Sequence, residues 1–264
     1  METEQHKNYA LITGASAGTG KQIAIECAKR GYNLFLVSLP KTGLEDFSLE
    51  LRKTYPVDVQ YLSIDLTKPN SPSEVFEYAI QNQLFINILV NNAGLGFNGK
   101  LESLTAELID TMILLNVRAS TLLTFLFLPE LKKSKRAYIL NISSFAGLIP
   151  LPFKSVYSAT KAYILFLTQA LNVELKGTQI SVTSIHPNGI SSERAMENIK
   201  KSGFIGRISA LTPNQVAKIS IDNMLAGNKF VVPGVVNKFY YSLGTLLPHG
   251  MVLKMVSHIF CSKN

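Results

Sequence analysis

The chain has 264 residues, of which 47% are hydrophobic and 17% charged, a composition that excludes intrinsic disorder and allows a sizeable buried core. Its formal charge of +8 suits an anionic ligand, a phosphorylated cofactor or an acidic surface. Nucleic acid is not expected, because the lysines are scattered and Lys132-Lys133-Ser134-Lys135-Arg136 falls where a helix ends and its dipole favours cations.

The start of the chain is polar, and an apolar run at 9–13 leads into Gly14-Ala15-Ser16-Ala17-Gly18-Thr19-Gly20. Apolar residues Ile23, Ala24, Cys27 and Ala28 then recur at helical spacing, so the period switches from strand to helix across a glycine loop. The alternation continues, with strands expected at 33–38, 59–64, 86–90, 136–142 and 179–185 and helices at 44–53, 72–83, 105–131 and 153–175. Repeated βα units predict an α/β fold with a parallel sheet covered by helices on both faces. In such a sheet ligands gather at the carboxyl ends of the strands, where the glycine loop, Asn91-Asn92-Ala93-Gly94 and Ser143-Ser144 all fall. The apolar stretch at 111–129 is interrupted by Asn116 and Arg118, so no transmembrane segment or secretory signal is expected. Cys27 and Cys261 are far apart, and the four histidines form no ligand pattern; a reduced, cytoplasmic protein without metal is the expectation.

Two local patterns carry chemistry. Glycines at 14, 18 and 20 between a strand and a helix permit a tight backbone and bring amides and the helix N-terminus toward a pyrophosphate. The spacing is neither a Walker A loop, since Ala15 and Gln22 stand at its required positions, nor G-x-G-x-x-G, and a loop needed only for packing remains open. Further on, Tyr157 and Lys161 lie four apart on a helix and so share a face, with Ser144 upstream. An ammonium beside a phenol favours the phenolate and moves its pKa toward the working pH of an acid/base catalyst. Alone, the pair is a weak signal.

Taken together, Thr13-Gly14-x-x-x-Gly18-x-Gly20, Asp65, Asn91-Asn92-Ala93-Gly94, Asn116, Ser144 and Tyr157-x-x-x-Lys161 resemble, in order and spacing, the short-chain dehydrogenase/reductase family over roughly residues 8–192. The resemblance implies a single doubly wound Rossmann domain over residues 1–264, with a seven-stranded parallel sheet, an NAD or NADP cofactor, and hydride transfer at a carbonyl or secondary alcohol. It implies that Gly14, Gly18 and Gly20 hold the pyrophosphate, that Asp65 meets the adenine amino group and that Asn91 supports the adenosine side and the sheet. Ser16, Thr19, Ser38, Lys41, Leu66, Asn92, Ala93, Gly94, Pro187, Gly189, Ile190 and Ser192 complete the implied cofactor site. Ser144 then donates to the substrate oxygen and Tyr157 gives or takes its proton. Lys161 holds the nicotinamide ribose and depresses the tyrosine pKa, while Asn116 holds a water that extends the relay.

The chain departs from the family pattern in two places. Asn188 replaces the usual glycine after Pro187, and Ser192 stands at the usual threonine; asparagine tolerates left-handed backbone and serine keeps the hydroxyl, so the nicotinamide loop is expected to work with altered geometry. After the second strand, Val37-Ser38-Leu39-Pro40-Lys41 carries neither the acid that would hold the ribose 2′-hydroxyl of NAD nor the arginine that would hold the 2′-phosphate of NADP. No carboxylate is there to repel a phosphate, and Ser38 and Lys41 tilt the reading to NADP.

Leu95, Phe97, Phe145, Leu148, Ile149, Leu151 and Phe153 would border the nicotinamide pocket. With Met196, Phe204 and Ile205 they predict a lipophilic ketone, aldehyde or acyl-type carbonyl as substrate. Residues 190–212, with Gly203 and Gly206, are expected to form a substrate lid. Residues 238–264 form an apolar C-terminal extension in which Met251, Val252, Met255, Val256 and Ile259 share a helical face, with Lys254 and His258 off it. That face suits core or subunit packing, a substrate cover or a peripheral membrane contact. The family pairs helices 105–131 and 153–175 between subunits, which implies a homodimer or homotetramer. The expected activity is NADPH-dependent carbonyl reduction; a non-catalytic dinucleotide-binding, redox-sensing regulator and a membrane-peripheral scaffold are the alternatives.

Overall fold

The structure is a computed structural model that describes residues 8–190, 209–248, 250–254 and 257. Strand β1 (Asn8–Thr13) runs into helix α1 (Gly18–Lys29), followed by β2 (Asn33–Ser38), α2 (Leu44–Thr54), β3 (Val59–Ser63), α3 (Ser71–Gln81) and β4 (Phe85–Asn91). The second half holds α4 (Ala106–Ile113), a π-helical turn (Leu114–Ala119), α5 (Ser120–Lys133), β5 (Ala137–Ile142), α6 (Ser155–Glu174) and β6 (Ile180–Ile185). It closes with α7 (Pro213–Leu225), β7 (Phe230–Val231) and α8 (Val235–Leu246). The seven strands order as β3-β2-β1-β4-β5-β6-β7, and every pair is parallel.

Alternate strand residues point to opposite faces, and the core divides accordingly. Ala10 and Ile12 meet Ile23 and Cys27 of α1, Leu44 and Phe47 of α2 and Ile221 of α7 on one face. Tyr9 and Leu11 meet Val75 of α3, Leu123, Phe127 and Leu131 of α5 and Leu171 of α6 on the other. The strand order reverses between β1 and β4. There the connections leave to opposite sides and open a crevice at the carboxyl ends of these two strands.

The helix expected at 105–131 is broken by the π turn at Leu114–Ala119, which contains the buried Asn116. Such turns insert an extra residue per hydrogen-bonded ring and collect at functional sites. By length and composition Ala106–Lys133, at mean hydropathy 1.7, is apolar enough to cross a membrane, despite Asn116 and Arg118. In the fold, the buried face of its α5 portion packs on the sheet through Leu123, Phe127 and Leu131. The helix expected from 153 starts at Ser155, because Phe153 takes a left-handed φ of 63°. The two-residue β7 is too short to register as a periodic run. Helix α7 opens with a capping box in which Thr212 and Gln215 satisfy each other's backbone amides.

Of the expected lid, Ile190 and residues 209–212 are described, and Ile190 bridges to Leu211. Ser192, Met196, Gly203, Phe204, Ile205 and Gly206 lie outside the described residues, as do Met255, Val256, His258, Ile259 and Cys261 of the C-terminal extension. Of the proposed apolar face, Val252 is buried while Met251 is half exposed.

Candidate active site

The crevice is assembled by Thr13, the last residue of β1. Its hydroxyl donates to Val90 O at 3.1 Å and accepts from the amides of Asn92 and Ala93, each at 3.0 Å. Asn92 returns the link, its Nδ2 donating to Thr13 O at 2.9 Å and Gly14 O at 3.3 Å. The glycine loop and the Asn91–Gly94 segment are thereby held as one unit. Gly14 and Gly18 take φ of 67° and 54°, which suits glycine. A Cβ on Gly20 would stand 2.1 Å from Gly14 O. Thr19 is buried beside it.

These residues fit a dinucleotide. A Cβ added at Gly18 would meet nothing within 4 Å, so the loop has open space before it. Helix α1 has no side-chain cap and no acidic residue in its first turn, which leaves its amides and positive dipole end available to a pyrophosphate. Ser16 Oγ lies 2.7 Å from Ser38 Oγ at the end of β2, and Lys41 is exposed just beyond. Asp65 Oδ1 accepts from the amide of Thr67 at 3.0 Å and its hydroxyl at 2.8 Å, forming a turn beside the buried Leu66.

The chemical end of the crevice is built by β5, α6 and the π turn. Ser144 follows β5, and its Oγ accepts from the amide of Ala146 at 3.2 Å. Tyr157 is close enough to Ser144 for that side chain to act on its pKa. Lys161, one turn along α6, is buried and donates from Nζ to Ile142 O at 2.9 Å, with Nζ 5.9 Å from the Tyr157 ring centre. Burial lowers the Lys161 pKa to about 8. Burial also raises the pKa of Tyr157, against which the Ser144 side chain acts. The depression expected from Lys161 is therefore not found in the protein by itself: burial of the phenol sets the direction of the shift.

Asn116 is occupied by protein groups. Its Nδ2 donates to Leu95 O at 2.9 Å and Thr160 Oγ1 at 3.0 Å, and its Oδ1 accepts from Leu95 N at 2.8 Å. Thr160 in turn donates to Tyr157 O at 2.8 Å, so the side chain of Asn116 ties the loop after β4 to the Tyr157 turn of α6. Gly94 passes close by: a Cβ there would stand 3.1 Å from Asn116 Oδ1 and 3.3 Å from Lys161 Nζ. Gly96 similarly admits the Tyr157 ring, 3.2 Å from its would-be Cβ.

After β6, Pro187 O accepts from Phe145 N at 2.8 Å, and Gly189 O accepts from Leu211 N at 3.0 Å. These bonds place Pro187, Gly189 and Ile190 along the Ser144 side of the crevice. His186 and Thr160 carry much of the local geometry and were given no role by sequence. Of the two, only Thr160 had a signal, since it sits inside the Tyr157-x-x-x-Lys161 motif.

Comparison with known proteins identifies the arrangement. The profile of the short chain dehydrogenase family matches residues 8–203. The chain belongs to that family. It is 32% identical over 204 residues to a very-long-chain 3-oxoacyl-CoA reductase of Coprinopsis cinerea, covering 75% of this chain and 58% of the relative. A protein of the same name from Emericella nidulans is 32% identical over 249 residues, covering 93% and 68%. The chain spans 58–61% of the length of the first four curated relatives it matches. Among solved structures, a short-chain dehydrogenase from Sphingobium yanoikuyae in complex with NADPH superposes with a TM-score of 0.76 at 32% identity, covering 86% of this chain and 88% of that one. The bulky-bulky ketone specific alcohol dehydrogenase of Comamonas testosteroni gives 0.77 at 28% identity, covering 90% and 91%.

In this short-chain dehydrogenase Asn91 supports the sheet, as expected: its Nδ2 donates to Asn141 Oδ1 at 2.8 Å and Thr124 Oγ1 at 3.0 Å, and Asn141 donates on to Thr168. One residue differs from expectation. Asn188 is not among the residues with positive φ, so left-handed tolerance is not its use. Its Nδ2 instead reaches Ser209 Oγ at 3.3 Å and Asn237 Oδ1 at 3.2 Å, bonds that a glycine could not make.

Proposed function

We propose that the chain is an NADPH-preferring oxidoreductase that reduces a lipophilic ketone, aldehyde or acyl-type carbonyl to the alcohol. The observation that carries this reading is the convergence of the Tyr157 phenol with the Ser144 side chain, which acts on its pKa, and with the Lys161 ammonium, 5.9 Å from the Tyr157 ring centre. The names of its relatives support the acyl-type carbonyl, and the NADPH complex of a neighbour at 32% identity supports the cofactor. Ser16, Ser38 and Lys41 would hold the 2′-phosphate, and Gly14, Gly18 and Gly20 the pyrophosphate.

A bound nicotinamide dinucleotide supplies the hydride, which no side chain can. Ser144 donates a hydrogen bond to the carbonyl oxygen, which orients it toward Tyr157. As the carbon is reduced, negative charge grows on that oxygen and the Tyr157 phenol protonates it. Burial keeps the phenol neutral at physiological pH, which is the form a proton donor needs. Lys161, protonated below about pH 8, stabilises the phenolate left behind. Asn116 positions the Tyr157 turn through Thr160.

Turnover of apolar ketones and aldehydes by the purified protein, followed as loss of NADPH or NADH absorbance, tests this. Tyr157→Phe should lower the rate by a factor of about 10²–10⁴. Tight dinucleotide binding with no turnover across such a panel would instead favour the redox-sensing regulator. We also read the protein as cytoplasmic, from its two widely separated cysteines, and as a homo-oligomer, on the strength of Phe125 on α5 and Phe166 and Val173 on α6, exposed by 69%, 68% and 74%. Sedimentation of the wild type against Phe166→Glu would decide the assembly, and cell fractionation the compartment.

A further inference from the structure

Val235, Phe239, Leu243 and Leu246 of α8 follow one another four, four and three positions apart, so they form one stripe along the helix. That stripe faces solvent: Val235, Phe239 and Leu246 are exposed by 85%, 64% and 81%. The opposite side of α8 is the anchored one. Asn237 is fully buried there and donates to Ser209 O and Pro233 O. Gly244 on that side lies against the loop that follows Ser144, since a Cβ on it would stand 3.4 Å from Ile149 Cδ1. Beyond α8 the exposed apolar surface continues through Met251 and Leu253. The charge around it has one sign. From residue 223 to 264 the sequence holds Lys229, Lys238, Lys254 and Lys263 and neither Asp nor Glu. Lys238 and Lys254 are exposed beside the apolar residues.

We infer that the outer face of α8, with Met251, Leu253 and Lys254 after it, docks the protein on a bilayer surface that carries anionic lipids. The apolar side chains enter the boundary of the hydrocarbon while the lysines beside them meet the lipid phosphates and carboxylates, as in helices that lie in a membrane interface. A second copy of the chain fits this face poorly. In a two-fold contact the patch meets itself, which sets lysine against lysine with no acid in the segment to pair them. Docking leaves α8 between the bilayer and the loop that follows Ser144, whose Leu148 and Ile149 line a groove with Tyr241, Gly244 and Thr245 of α8. It needs neither cofactor nor turnover.

The test sediments the full chain with sucrose-loaded vesicles, either of phosphatidylcholine alone or of phosphatidylcholine and phosphatidylserine at about 3:1. Each lysine near an anionic surface contributes about fivefold, so the wild type should bind the mixed vesicles about tenfold or more tightly than the neutral ones. High salt should shrink that advantage. Phe239→Glu combined with Leu246→Glu should weaken binding to the mixed vesicles by about tenfold or more. The chain has no tryptophan, so Phe239→Trp supplies a single fluorescent reporter and keeps the stripe apolar, which decides the matter even where the double variant does not fold. Its emission should move to shorter wavelength on the mixed vesicles, whereas that of Phe125→Trp on α5 should not. No wild-type binding, equal affinity for the two kinds of vesicle, undiminished binding by the double variant or an unmoved Phe239→Trp emission each overturns the inference. A lipid-free mass that halves in the double variant would show that a second copy covers the face, and overturns it as well.

Discussion

The imidazole of His186 lies behind Ser144, with Nδ1 3.4 Å from the Ser144 carbonyl oxygen and Nε2 2.9 Å from Ser184 Oγ. A carbonyl only accepts, so Nδ1 carries the proton and Nε2 accepts from Ser184. The ring is fully buried and packs at 4.7 Å from that of Phe230. Burial first, and the Lys161 charge after it, lower the His186 pKa to about 4, against the opposing Ser144 bond. The ring therefore stays neutral and braces the backbone under the site rather than moving protons.

Stability in acid should report that neutrality. An unfolded histidine takes up a proton near pH 6.5, whereas folded His186 resists until about pH 4, so stability falls as pH drops through this window. The contribution is on the order of 3 kcal/mol. Urea unfolding of His186→Gln should lack this part of the acid dependence; identical slopes for variant and wild type between pH 7 and 4 would refute it.

Lys161 acts in the alkaline range. Its folded pKa of about 8 lies below the ordinary 10.5, so the unfolded chain binds the extra proton between these values and stability rises with pH across them. Relative to Lys161→Met, the wild type should gain roughly 3 kcal/mol from pH 8 to 10.5. Turnover should decline over the same range as the ammonium is lost. A wild-type-minus-variant stability difference that does not change with pH would contradict this.

The glycine loop distinguishes strain from collision. Gly18→Ala meets open space, but its φ of 54° should cost about 1 kcal/mol. Gly20→Ala places a methyl 2.1 Å from Gly14 O and 2.5 Å from Asn92 Nδ2, both inside the unit that forms the crevice. The backbone must part, so calorimetry should show dinucleotide affinity reduced at least tenfold in Gly20→Ala, with destabilisation of about 1–3 kcal/mol. Wild-type affinity in that variant would exclude the loop as the binding element.

Asn188 and Asn237 join the loop after β6 to α8. Asn237 is fully buried and donates to Ser209 O at 3.0 Å and Pro233 O at 2.8 Å while accepting from Asn188. Asn188→Gly should cost about 1 kcal/mol by thermal unfolding, and Asn237→Ala about 2 kcal/mol, since it empties a buried polar site. The double variant should fall short of the sum, because both remove one shared bond. Full additivity would mean that the two side chains do not interact.

Local chemistry made much of this protein readable in one dimension. Six strands followed from runs of apolar residues set between turn signals. The glycine loop followed from three glycines at a strand-to-helix change of period, and the facing of Tyr157 and Lys161 from helical spacing. Each depends on neighbours within a few positions, which the chain states directly. The helix at 105–131 was legible as a helix, but its π turn was not, because that break is held by Asn116 bonding to Leu95 and Thr160, 21 and 44 residues away. The same holds for the seventh strand, which exists only as an edge for β6.

The sequence by itself determined the alternating α/β order, the place of the dinucleotide loop and the residues able to move a proton. Only the tertiary structure decided that burial sets the direction of the Tyr157 pKa, that Asn91 bonds to Asn141 and Thr124 and that Asn188 is a tie rather than a turn. The physical reason is that hydrogen bonds between distant segments and the withdrawal of water from an ionisable group depend on how the strands are ordered and what packs over them, and neither is written in local spacing.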